Sequence, residues 1–144
     1  MAKKTFKVAG VTFSNGMFST SRQEIIKKKC KVGDPVILER DYSNKHDDFA
    51  VKVLTKDREQ VGYIPKGRAK SKRVFLSLEA KNDLIAKISD IYNFKDEYND
   101  RIYGIRVEVE NLLSTSKAKE VANKGCAGIL LLFFTIITLL NFLI

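Results

Sequence analysis

The chain has 144 residues, enough for one small domain and a short additional segment. Lysine and arginine number 26 against 17 aspartates and glutamates, a net charge of +9 at pH 7 that favours polyanions, either nucleic acid or anionic lipid headgroups. A single histidine, the absence of a Gly-rich phosphate loop ending in Lys-Ser/Thr, and only two cysteines (Cys30 and Cys126) argue against an enzyme, a structural zinc site and a disulfide framework.

Residues 5–13 are rich in β-formers (Phe6, Val8, Val11, Thr12, Phe13) and predict a first strand, with Gly10 at a bulge or close backbone approach. Ser14-Asn15-Gly16 is a turn signal. Ser21 followed by Glu24 is a capping-box pattern that opens a short helix through Ile25, Ile26 and Cys30, and Gly33 fits just past its end. Residues 35–40 read as a strand and 41–48 as a loop dense in turn formers. Strands follow at 50–54 and 60–64, joined by the charged turn 56–59. The basic stretch from Lys66 to Arg73 leads into a helix expected over 69–80. Residues 83–92 read as a strand with imperfect alternation, and 101–110 as one with clean alternation, joined by the polar loop 93–100. Six short strands with two interposed helices suit a small mainly β, α+β domain, closed or partly open as a barrel.

Residues 111–124 form a polar, mildly helical connector. The last 20 residues, 125–144, carry no charge, and 13 of the 18 in 127–144 are Leu, Ile or Phe. As a helix this stretch is roughly 30 Å long, one hydrocarbon core, and it is apolar around its whole circumference. It is expected to span a membrane. Lys117, Lys119 and Lys124 on its N-terminal side place the preceding domain in the cytoplasm, where both cysteines stay reduced. The first residues contain no long apolar run, so no signal peptide is expected. The expected organisation is a domain over 1–110, a juxtamembrane connector over 111–126 and a single-pass tail anchor over 127–144.

One set of residues in fixed order carries a resemblance. It comprises Val8-Ala9-Gly10-Val11, then Arg40, Asn44, His46-Asp47, Ala50-Val51 and Gly62-Tyr63-Ile64. The chain resembles the HIRAN domain family over residues 6–110. The resemblance implies a modified OB-like barrel that binds nucleic acid, above all the 3′ end of single-stranded DNA. Aromatics in that family flank the terminal base, and an Asp beside one of them accepts a hydrogen bond from the 3′ hydroxyl. Carried over, the first aromatic falls on Phe13, the loop aromatic (usually Tyr) on His46, and the Asp on Asp47. The usual loop prolines are missing from 41–45.

The expected nucleic-acid-binding residues are therefore Phe13, Arg40, His46 and Asp47, with Lys66, Arg68, Lys70, Lys72 and Arg73 as phosphate contacts. Each has a plainer reading. Asn44 and Asp47 can simply shape the loop through Asx turns, and Phe13 can be core. The basic segment can be a solvated helix start or lie on anionic lipid. His46 among Asp41, Asp47 and Asp48 is weak as a metal site, and neither metal nor cofactor is expected. The expected function is a membrane-anchored module for single-stranded nucleic acid, DNA favoured; the alternative is a membrane-tethered protein–protein adaptor with a protein partner and no nucleic-acid binding.

Overall fold

A computed structural model describes residues 2–124. The membrane span expected over 127–144 lies outside these residues. No helix among the described residues is long and apolar enough to cross a membrane.

The elements in order are β1 (Ala2–Lys7), α1 (Arg22–Lys29), β2 (Val36–Arg40), β3 (Val51–Thr55), β4 (Gln60–Tyr63), α2 (Ser71–Glu79), β5 (Ile85–Lys95) and β6 (Arg101–Leu112). A third helix, α3, covers 115–124. The strands form two antiparallel three-stranded sheets, ordered β1-β6-β5 and β2-β3-β4. Single bridges join them on both sides, Ala9 to Tyr63 and Pro35 to Lys87. The expected six strands are present, but as two sheets sutured at two points.

Apolar side chains from both sheets meet between them. Phe6 and Val8, Val51 and Val53, Val61, and Ile88, Ile105, Val107 and Val109 are buried together with Ile25 and Ile26 of α1 and Val74 and Phe75 of α2. Helix α1 starts as its sequence suggests, with the Ser21 hydroxyl accepting from the Glu24 N–H. The Glu24 carboxylate pairs with Lys28 one turn on.

Two expectations are corrected. The first strand ends at Lys7 and does not run to Phe13. Ala9 leaves β6 for the other sheet and exchanges two 2.9 Å hydrogen bonds with Tyr63, and Gly10, at φ +70°, then turns the chain. Among the described residues there are three helices. The stretch read as a connector contains α3, which packs on α2 through Ala118, Leu113 and Leu76, with Val121 and Ala122 alongside.

Candidate nucleic-acid interface

The loop between β2 and β3 is held rigidly from within. The Asn44 side-chain oxygen accepts from the N–H groups of His46 and Asp47, and Asp47 Oδ1 accepts from the Phe49 N–H. Across the loop base, the Asp41 N–H donates to the Ala50 carbonyl at 2.9 Å. Asp41 itself is buried and accepts from the Ser43 N–H and hydroxyl and, at 2.9 Å, from the Tyr63 hydroxyl, with the Lys52 ammonium 3.5 Å away. Burial pushes the Asp41 carboxyl upward. The hydrogen bonds from Ser43 and Tyr63 and the charge of Lys52 outweigh it and hold the group below its ordinary value.

Tyr63 is thus pinned from one side by Asp41. From the other side the Arg22 guanidinium stands over its ring at 5.4 Å. Arg22 is only 5% exposed. It donates from Nε to Asn15 Oδ1 at 2.7 Å and from Nη1 to the Gly10 carbonyl at 2.8 Å, which ties the turn after β1 to α1. Burial lowers its pKa and the neighbouring Tyr63 opposes that shift; a guanidinium remains charged at neutral pH regardless. A side chain at Gly10 would bring its Cβ within 3.2 Å of both Arg22 Nη1 and the Phe13 ring, so this glycine lets the two groups close on the turn.

These parts enclose a cleft of about 640 Å³. Phe13, His46, Asp47 and Lys66 all line it. Ala9, Ala50, Tyr63 and Ile64 add apolar surface, and Arg22 lines it as well. Phe13 is 66% exposed, which removes the reading of it as core. The Lys66 ammonium donates to the His46 carbonyl at 2.6 Å, linking the loop to the segment after β4. Aromatic, imidazole, carboxylate and ammonium groups from three separate stretches of sequence therefore face one solvent-open space. An unpaired nucleotide needs such a set: faces to stack on, an acceptor for a hydroxyl and a cation for a phosphate.

The other expected site residues lie elsewhere. Arg40 stands 5.1 Å from the Tyr42 ring and 5.6 Å from that of Phe75, outside the cleft. Arg68, Lys72 and Arg73 line a second groove between α2 and α3. The Lys72 ammonium is 4.5 Å from the Phe49 ring, and Arg73 Nε donates to the Leu113 carbonyl at 2.7 Å. Lys70 is exposed immediately before α2. The sequence pattern does not single out Arg22, which lines the cleft, or Asn15, which holds it. Their only outward sign is a position beside a capping serine and in a turn, which says nothing of a buried guanidinium. Among the described residues no three His, Cys, Asp or Glu side chains converge as metal ligands.

A small two-sheet domain with a rigid loop over an open, mixed-polarity cleft is built as a binding module. The HIRAN domain family model matches residues 5–103, and the chain belongs to that family. Among solved structures, the HIRAN domain of human HLTF is similar at 16% identity, over 84% of each chain, with a TM-score of 0.49. A protein from Lactobacillus plantarum is similar at 17% identity, over 76% of this chain and 99% of that one, with a TM-score of 0.47. No curated protein matches significantly.

Proposed function

We propose that this chain binds single-stranded nucleic acid, DNA by preference, and takes the 3′ end of the strand into the cleft without catalysing a reaction on it. Family membership supports nucleic-acid binding. The observation that carries the end-binding reading is the meeting of Phe13, His46, Asp47 and Lys66 in one open cleft. Phe13 and His46 flank the last base. The carboxylate oxygen of Asp47 that does not hold the loop accepts from the terminal hydroxyl, and Lys66 faces the nearest phosphate. We further propose that residues 127–144 hold this module at a membrane with the folded domain on the cytoplasmic side, on the strength of their uncharged composition and basic flank.

The test is the affinity of the full chain for an oligonucleotide ending in a 3′ hydroxyl against the same strand ending in a 3′ phosphate, read by fluorescence anisotropy. A terminal phosphate sets like charge against Asp47 and removes a hydrogen bond to a charged group worth about 1.5–3 kcal/mol. The hydroxyl end binds about ten-fold more tightly or better. Equal affinity for the two ends sinks end recognition, and no binding of either strand favours the adaptor.

A further inference from the structure

The groove between α2 and α3 shares no lining residue with the cleft. Its volume, about 340 Å³, falls within the range of small-molecule sites. Leu76, Ala118 and Ala122 give it an apolar base, exposed Ala69 lies at its edge, Arg68 and Lys119 stand among the cations of its rim, and among the described residues no acidic one lines it. Among the described residues no aromatic lines it either, so these offer a base nothing to stack on. Two of the rim cations are already engaged, Arg73 with the Leu113 carbonyl and Lys72 over the Phe49 ring. Arg68 and Lys119 enter no ion pair among the described residues.

An apolar trough edged by uncommitted cations complements an anion that carries an apolar chain. The position in the sequence points the same way. Asn123 lines the groove, and the uncharged stretch of 20 residues begins two positions later, at Gly125. Clustered lysines and arginines next to a membrane segment meet anionic headgroups.

We propose that this groove binds an anionic phospholipid, its acyl methylenes against Leu76, Ala118 and Ala122 and its phosphate on Arg68 and Lys119. The inference rests on the membrane attachment proposed above for the source of the lipid. It gives the basic segment after β4 a role separate from the nucleotide cleft, docking α2 and α3 onto a charged bilayer surface.

The experiment uses the full chain in uncharged maltoside micelles, with retained lipid counted by native mass spectrometry after addition of phosphatidylglycerol or phosphatidylcholine. One phosphatidylglycerol per chain is expected, with phosphatidylcholine held about ten-fold less. Arg68→Glu combined with Lys119→Glu removes the preference while the melting temperature stays put. Ala69→Trp, at an exposed position on the groove edge, removes the adduct with the rim charges intact. Equal retention of the two lipids, or phosphatidylglycerol retention unchanged in both variants, overturns the proposal. Displacement of the lipid by inorganic phosphate makes the groove a simple anion site. Displacement by a single-stranded oligonucleotide whose own binding is lost in the same variants makes it part of a nucleic-acid track. Attachment through the tail is read separately, by washing native membranes with high salt. Release of the chain by the wash, with the phosphatidylglycerol adduct kept, discards the anchor and leaves the groove standing.

Discussion

Replacing Gly62 with alanine tests whether the suture between the sheets also shapes the cleft. A Cβ on Gly62 would lie 2.4 Å from the Ala9 carbonyl oxygen and 2.5 Å from Val8 Cγ1, both far inside contact distance. One obstacle is backbone, so the strands must part. Parting them breaks the two hydrogen bonds between Ala9 and Tyr63, each 2.9 Å long. Two such bonds contribute about 1–3 kcal/mol net, and overpacking adds about 1–3 kcal/mol, for a total of roughly 2–6 kcal/mol. Against a domain stability of about 5–15 kcal/mol this is a large fraction, and it lowers the melting temperature by roughly 10 °C or more. Ala9, Gly10, Tyr63 and Ile64 all line the cleft, so oligonucleotide affinity falls as well. Gly33→Ala is the control. Its Cβ meets nothing within 4 Å, and its φ of +93° leaves only a backbone penalty of about 1–2 kcal/mol. Far-ultraviolet circular dichroism of the full chain in uncharged detergent reads the melting, and anisotropy reads the binding. If Gly62→Ala melts no lower than Gly33→Ala and binds normally, the suture has neither role.

Three further outcomes are expected. Asp41→Asn removes a carboxylate whose pKa is depressed in the fold; its contribution is fully present above the ordinary value of 3.8 and fades as pH falls through the depressed one. The variant should therefore be less stable by about 1.5–3 kcal/mol at neutral pH, with the gap from the native protein closing in acid, and a pH-independent gap in urea titrations would show that the charge is not the cause. Lys66→Gln should flatten the slope of log affinity against log salt by about 0.7, whereas Lys70→Gln should leave it unchanged; equal slopes for both variants would remove Lys66 from phosphate contact. Deleting residues 125–144 should release a folded domain from membranes, and a truncated chain that still pelleted with them after a high-salt wash would show that the anchor lies elsewhere.

The strands were legible where alternation was undisturbed. Residues 101–110 read cleanly because Ile105, Val107 and Val109 face the core while Arg106 and Glu108 lie on the other face of β6. The imperfect alternation of 83–92 has a physical cause. The register with β6 shifts between Ile88 and Asp90, so Ala86, Ile88 and Ile91 reach the same side across an odd step. The end of β1 was not legible, because Val8 still bonds to Ile105 of β6 and Val11 stays buried after the chain has left that sheet, and burial alone mimics a continuing strand. The third helix showed only as mild helicity, because its apolar packing on the domain runs through Ala118, with Val121 and Ala122, a small stripe among polar residues. Of the residues that line the cleft, the family pattern singled out Phe13, His46 and Asp47. Arg22 escaped because burying a guanidinium requires Asn15 and the Gly10 carbonyl at the right places, a coincidence that exists only in three dimensions.

The two readings of Asp47, loop-shaper and ligand, do not exclude each other, and the geometry says how to separate them. Oδ1 accepts from the Phe49 N–H at 3.0 Å, so one oxygen belongs to the loop. The residue also lines the cleft, so the other oxygen is available to a terminal hydroxyl. Asparagine at this position keeps an amide oxygen for Phe49 and replaces the second oxygen with a donor, preserving the loop while removing the negative acceptor. Alanine loses both. If Asp47 acts only within the loop, Asp47→Asn should behave as the native protein, and Asp47→Ala should weaken all strands alike through a loosened loop. If it also receives the 3′ hydroxyl, Asp47→Asn should melt like the native protein yet lose most of the ten-fold or greater preference over a 3′ phosphate. His46→Tyr should tighten both ends together, since it improves stacking and leaves the Asp47 acceptor in place. A native-like melting curve with an unchanged end preference in Asp47→Asn would confine Asp47 to the loop and leave the cleft without a means of telling one strand end from the other.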